Sequence, residues 1–142
     1  MNPSTKKRFL FFIIPVVVYA AVIFSLSSIS HPREELSLFF GFDKLLHVIE
    51  YYVFGYLLMR LFVTSPKIFI SKRRVTLTIV AGILYAISDE WHQLFVPGRC
   101  MSVYDMIFDF LGVVVAAVSY TFVRYRCVCV DTIEKRLEHI QI

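Results

Sequence analysis

The 142-residue chain is strongly apolar: 58% of its residues are hydrophobic, 18% are charged, and the mean hydropathy is +0.68. A soluble domain carries about a quarter charged residues, so this composition excludes an ordinary soluble domain and indicates a membrane protein. The net charge of +4 and the pI near 9.1 are compatible with nucleic-acid binding, but the distribution of the cations argues against that interpretation. The three cysteines do not supply the roughly four ligands that a structural zinc site needs.

Four apolar segments are long enough to cross a membrane, for which a helix needs about 20 residues. We therefore predict one all-α transmembrane domain over residues 1–142, a four-helix bundle with a short outer segment before its second helix. Apolar positions at helical spacing near the C-terminus predict an amphipathic tail, from Asp131 to Ile142, that either lies on the membrane surface or is an ordinary surface helix. The predicted transmembrane helices cover about residues 9–27, 43–64, 75–95 and 103–123.

The first apolar segment also resembles a cleavable signal peptide, because basic residues precede an apolar run that ends in small side chains. Its apolar run is longer than the stretch of about 7–15 residues found in such peptides. We therefore expect the segment to be retained as the first transmembrane helix.

The lysines and arginines predict the orientation of the bundle, because they mark the cytoplasmic side of a membrane protein. If the N-terminus lies inside, twelve of the fifteen cations fall on the inner side, and only Arg33, Lys44 and Arg99 fall outside. We therefore expect both termini in the cytoplasm. Eight of the eleven acidic residues fall on the outer side, which the rule for cations does not explain.

Three of the predicted helices carry ionisable groups near their outer ends. Asp43, His47 and Glu50 of the second helix are at positions i, i+4 and i+7, so they share one stripe of its surface. An ionisable residue inside a span costs on the order of 2.5–3.5 kcal/mol on insertion scales. We therefore expect the deeper groups to face the interior of the bundle, where they form a site.

The third and fourth helices add their own polar groups at the same depth. Glu90 and Gln93 lie near the end of the third helix, and Asp105 and Asp109 lie at i and i+4 on the fourth. The loop between these helices places Arg99 above the cluster. Small residues that permit close helix packing follow on the same face of the fourth helix: Gly112 and Ala116.

Three segments in combination resemble the VanZ-like family: DKLLHVIEYYVFG at 43–55, SDEWHQLFVPGR at 88–99 and DMIFDFLG at 105–112. The resemblance implies a small bacterial integral membrane protein of the cell envelope. The family's namesake is associated with low-level resistance to the glycopeptide teicoplanin. The motif residues coincide with the cluster that helical periodicity identifies, so we assign them the roles of a site.

We predict that one set of residues performs acid–base chemistry: His47, Glu50, Glu90 and Asp109. A second set is predicted to bind substrate: Asp43, Lys44, Gln93, Arg99 and Asp105. Structural alternatives remain for the second set, since the two aspartates suit helix N-caps and the two cations suit headgroup contact or charge neutralisation. No metal ligand is assigned, although His47-x-x-Glu50 with Glu90 and Asp109 offers a nitrogen–oxygen set.

Three functions are compatible with this outward-facing site. The chain is an enzyme that processes an envelope lipid or a peptidoglycan-related precursor, a module that binds such a ligand without breaking bonds, or a structural partner in an envelope complex. Membrane lipids are expected partners, and nucleic acid is not. The sequence leaves the cofactor, the oligomeric state and any link to resistance open.

Overall fold

The computed structural model describes residues 3–30 and 40–126, which form helices and no strand. The predicted C-terminal tail and most of the predicted outer segment before the second transmembrane helix lie outside the described residues. The helices, in chain order, are α1 (Pro3–Arg8), a π-helical segment (Phe9–Ile13), α2 (Ile14–Ser27), α3 (Phe40–Val63), α4 (Ile68–Lys72), α5 (Arg74–Gln93) and α6 (Val103–Arg126).

The first helical stretch is longer than predicted, because α1, the π-helical segment and α2 follow one another without a break from Pro3 to Ser27. Pro15 lies in the first turn of α2 and has no backbone N–H to donate to the preceding turn. The wider π-helical turns lie directly before this proline, where regular α-helical hydrogen bonding is interrupted.

Within the described residues, three helices are long and apolar enough to cross a membrane: Lys6–Ser27, Asp43–Val63 and Val103–Arg126. The third predicted span coincides with a helix, α5, which is 20 residues long but is not among these three. It is less apolar than the other three because its last turns carry Asp89, Glu90 and Gln93, all of them buried.

The long helices alternate in direction, and α3 and α6 run parallel to each other. Lys44 near the start of α3 contacts Asp105 near the start of α6, and Gly55 further along α3 packs on Ala116. Between these two helices α5 returns the chain to the end of the bundle where α6 begins. The four long helices share one hydrophobic core, which includes Ile23, Tyr51, Phe54, Leu58, Ala86 and Val113.

Glycines allow the helices of the bundle to approach closely. A Cβ atom added to Gly112 of α6 would lie 2.5 Å from the carbonyl oxygen of Val48 in α3. A Cβ added to Gly82 of α5 would lie 2.7 Å from a side-chain carbon of Val113. Such distances leave no room for a side chain, so the predicted close packing along Gly112 is confirmed.

Charge is segregated along the bundle axis. The described acidic residues all belong to the starts of α3 and α6 or to the end of α5, which form one end of the bundle. The opposite end carries a cluster of cations from the start of the chain, the α3–α5 connection and the end of α6: Lys6, Lys7, Arg8, Arg60, Lys67, Lys72, Arg73, Arg74, Arg124 and Arg126.

Candidate functional site

The acidic end of the bundle begins with an ion-pair network between α3 and α6. The Nζ atom of Lys44 lies 3.1 Å from Oδ2 of Asp43 and also donates a hydrogen bond to Oδ1 of Asp105. The side chains of Lys44 and Asp105 are each only 12% exposed. Lys44 therefore compensates two carboxylates and joins the starts of the two parallel helices.

One helical turn deeper, a histidine and an aspartate join the same two helices. The Nδ1 atom of His47 lies 2.9 Å from Oδ1 of Asp109, whose side chain has no exposed surface. An ionised carboxylate can only accept hydrogen bonds. If Asp109 is ionised, Nδ1 of His47 is therefore the donor, and Nε2 is not involved in this bond. Nε2 is 4.0 Å from Oδ2 of Asp105. Both contacts follow from the i, i+4 spacing of the paired residues on each helix.

Helix α5 contributes three buried polar side chains to the same end. Oε2 of Glu90 accepts a hydrogen bond of 2.8 Å from the backbone N–H of Ser102, in the loop before α6. Oδ2 of Asp89 accepts a bond of 2.7 Å from the Ser27 hydroxyl and a longer one, 3.4 Å, from Nε2 of Gln93. These bonds connect α5 to α2 and to the α5–α6 loop.

Several buried oxygens at this end have no hydrogen-bond partner within the described part of the chain. A buried acceptor without a donor costs on the order of 1–3 kcal/mol, and more when it is charged. The atoms come from α3, α5 and α6, at the end of the bundle that carries the described acidic residues. They are Oε1 of Glu50, the Tyr51 hydroxyl, Oδ1 of Asp89, Oε1 of Glu90 and Oδ2 of Asp109. We call these five residues the acceptor cluster.

Arg99, predicted to bind substrate, makes hydrogen bonds to the backbone of the first helical stretch. Its Nε and Nη2 atoms donate hydrogen bonds of 3.2 Å each to the carbonyl oxygens of Ile29 and Leu26. These acceptors lie at and just beyond the end of α2, where the Leu26 carbonyl also accepts from the backbone N–H of Ile29. The loop reaches them through a turn at Gly98, whose φ of 83° favours glycine. Arg99 therefore ties the loop to the first helical stretch.

The metal alternative raised from the sequence involved a different set of ligands from the one that the fold brings together. Among the described residues, Asp43, His47 and Asp105 each offer an atom within 4.8 Å of the others. Lys44 already places its ammonium group between the two aspartates of this set. A divalent cation at this position would have to displace that ammonium or share its carboxylates.

The structure therefore brings most of the predicted site residues to one end of the bundle. Asp43, Lys44, His47, Asp105 and Asp109 form a connected polar network, while Arg99 bonds to backbone of the first stretch. Glu50 belongs to the acceptor cluster; Glu90 also belongs to it, and the side chain of Gln93 is buried beside Asp89.

Three residues of this end were not among the predicted site residues: Ser27, Tyr51 and Asp89. Asp89 is only 4% exposed and accepts a hydrogen bond from Ser27. Tyr51 follows Glu50 in the sequence, and its largely apolar ring favours a position in the core. The ring does lie in the hydrophobic core, together with Phe54. The polar atoms of Ser27, Tyr51 and Asp89 can be assigned to this end only once the packing of the helices against one another is known.

These features define a multi-pass helical membrane protein that carries a buried acidic cluster at one end of its bundle. The chain belongs to the VanZ/LLP1 family, whose model matches residues 2–124. The match spans every described helix up to the last turn of α6 and includes all three motif segments, so the resemblance seen in the sequence is confirmed. Comparisons with curated proteins and with solved structures gave no match.

Proposed function

We propose that the chain crosses the bacterial cytoplasmic membrane four times, with both termini inside and the acidic end outside. The segregated cations support this orientation, because such residues remain on the cytoplasmic side. The parallel course of α3 and α6 supports the fourth crossing, since the chain must return between them. The 20 residues of α5 extend about 30 Å, the thickness of a bilayer core.

We further propose that the acceptor cluster binds the polar head group of an envelope lipid or of a peptidoglycan-related precursor. One observation carries this proposal: five residues of α3, α5 and α6 at one end of the bundle each bury an oxygen that has no hydrogen-bond partner within the described residues. Their natural partners are hydroxyl and ammonium groups, because ionised carboxylates only accept hydrogen bonds. Sugars and amino acids of an envelope precursor supply such donors in quantity. We also propose that, if this chain has a role in glycopeptide resistance, that role is exerted through the binding of such a precursor.

A second function, acid–base catalysis on the bound ligand, is favoured by the contact between His47 and Asp109. A buried carboxylate that holds one imidazole nitrogen fixes the ring and prepares the other nitrogen to take a proton. A ligand hydroxyl within hydrogen-bonding distance of Nε2 would be the group deprotonated. Glu90, whose Oε1 is buried, is the candidate acid on the opposite helix.

The test of binding uses full-length protein in nanodiscs and a lipid-linked disaccharide peptide as the probe. Asp109→Asn and Glu90→Gln preserve shape, so we expect both variants to fold and to lose binding at least about tenfold, the loss of one charge-assisted hydrogen bond. Ser119→Ala is the matched control on α6, because Ser119 bonds to the Tyr52 hydroxyl away from the acidic end.

The outcome also separates the three functions. Ligand turnover that Asp109→Asn abolishes supports catalysis, whereas tight binding without turnover supports a binding module. Wild-type affinity in both variants contradicts the binding proposal. In that case a co-purifying protein partner that the same variants release would identify the cluster as part of an envelope complex.

A further inference from the structure

A cavity lies at the opposite end of the bundle from the acceptor cluster. It has a volume of about 260 Å³ and lies between the start of α5 and the end of α6. Two arginines and three hydroxyl-bearing side chains line it, and we call it the basic cavity. Its residues are Arg74, Tyr120, Thr121, Arg124 and Tyr125. Guanidinium groups match the geometry of phosphate oxygens, so the lining suits a phosphate-bearing ligand.

The basic cavity continues into an apolar groove of about 420 Å³, because Thr121 and Tyr125 line both. Val118 and Phe122 of the groove are 62% and 58% exposed, so this surface faces outward from the bundle. The remaining lining residues of the apolar groove are Val75, Ala117 and Arg126. The polar cavity is large enough for a phosphate group, and it opens onto an outward-facing apolar groove. Together they are complementary to an amphiphile with a charged head group and a hydrocarbon chain.

The charge around the basic cavity favours an anion. The segments 60–74 and 117–126 together contain seven lysines and arginines and no acidic residue. Anionic phospholipids are attracted to such basic surfaces at the membrane interface. A soluble anion would be attracted by the same charges, but it has no apolar portion to bury in the apolar groove.

We propose that the basic cavity and the apolar groove together bind one anionic phospholipid. Its phosphodiester lies between Arg74 and Arg124, and one acyl chain extends along Val118 and Phe122. This inference depends on insertion of the chain into a membrane and is independent of the ligand proposed for the acceptor cluster.

Native mass spectrometry of the full-length protein tests the proposal. The probes are phosphatidylglycerol and phosphatidylcholine, titrated separately into detergent-solubilised protein. We expect one tightly retained phosphatidylglycerol, whose retention falls by about tenfold in Arg74→Gln/Arg124→Gln as two interfacial charges are removed. The matched control is Lys67→Gln/Lys72→Gln, which removes two exposed cations from the same end but not from the cavity, and should lose less than about twofold.

Three results would overturn the proposal. Equal losses in the two double variants would mean general surface charge rather than a site. Displacement of the lipid by glycerol phosphate or inorganic phosphate at equal concentration would mean that the cavity binds a free anion. Equal retention of phosphatidylcholine would remove the preference for net negative charge. If the double variant does not fold, the single variants Arg124→Gln and Arg73→Gln are compared instead. The guanidinium of Arg73 stacks on Phe69, outside the cavity, so Arg73→Gln is the control.

Discussion

Nδ1 of His47 lies 2.9 Å from Oδ1 of Asp109, and this contact depends on the glycine three residues further along α6. Gly112 lies so close to α3 that a Cβ atom there would approach the Val48 carbonyl to 2.5 Å and the Tyr52 nitrogen to 2.9 Å. The two helices therefore touch backbone to backbone directly below the polar contact. The distance between the imidazole and the carboxylate is set by this crossing.

Substitution of Gly112 by alanine is expected to separate α3 from α6. The added methyl group meets backbone atoms, which do not move aside as a flexible side chain would, and overpacking of this kind costs about 1–3 kcal/mol. We expect a lower melting temperature together with weaker ligand binding, because the His47–Asp109 contact lengthens. Thermal unfolding in detergent and ligand titration measure the two effects.

Leu111→Ala is the matched control, because Leu111 precedes the glycine and is 45% exposed on the outer surface of α6. It should change neither property substantially. Wild-type stability and binding in Gly112→Ala would show that the crossing tolerates a side chain and that the polar contact does not depend on it.

Removal of Lys44 is expected to destabilise the acidic end of the bundle. Lys44→Met leaves Asp105, with a side chain only 12% exposed, without its cation, and breaking one partner of a buried pair costs about 3–5 kcal/mol. Lys44→Met/Asp105→Asn removes both charges and should recover much of that loss. The four proteins of this double-mutant cycle are compared by unfolding. Additive effects of the two substitutions would contradict the coupling between α3 and α6.

Helical periodicity predicted those features of the site that depend on the positions of residues within a single helix. The i, i+4 pairs Asp43–His47 and Asp105–Asp109 placed each pair on one stripe, and their convergence followed from the cost of exposing charge to lipid. The burial of Asp89 was not predictable in this way. It depends on a hydroxyl of Ser27, which is 62 residues earlier in the chain.

The contacts of Arg99 also escaped prediction, for a different physical reason. Its acceptors are backbone carbonyls of Leu26 and Ile29, and a carbonyl is present at every residue whatever its side chain. No residue pattern therefore marks the partner. The expected helix positions were close to those observed, but the first helical stretch begins at Pro3 rather than near residue 9.

Reporter fusions test the proposed topology. A cytoplasm-active reporter fused after Lys72 or after Ile142 should give signal, and one inserted near Arg99 should not, because in the proposed topology α5 crosses the membrane between Lys72 and Arg99. Signal at Arg99 as well as at Lys72 would mean that α5 does not cross. Signal at Arg99 alone would invert the bundle and turn the acceptor cluster toward the cytoplasm.

Glu50 distinguishes a binding or catalytic cluster from one that only holds the helices together. Its Oε1 is buried without a partner in the described part of the chain, and its neighbour Tyr51 is part of the hydrophobic core. Glu50→Gln keeps the size of the side chain and removes its charge, whereas Glu50→Ala removes its contacts as well. If the cluster binds or processes a ligand, Glu50→Gln should lose that function and still unfold near the wild-type temperature.

The two substitutions give opposite results if Glu50 has only a structural role. Glutamine should then support full function, because its amide satisfies the same packing. Glu50→Ala should reduce the free energy of unfolding through lost burial, by about 1–3 kcal/mol as for typical large-to-small changes, and so lower the melting temperature. Ligand binding and thermal unfolding are measured on the same preparations of both variants. A stable Glu50→Gln protein with wild-type binding and turnover would contradict a direct role of this carboxylate, and the proposed ligand contacts would then have to come from Glu90 and Asp109.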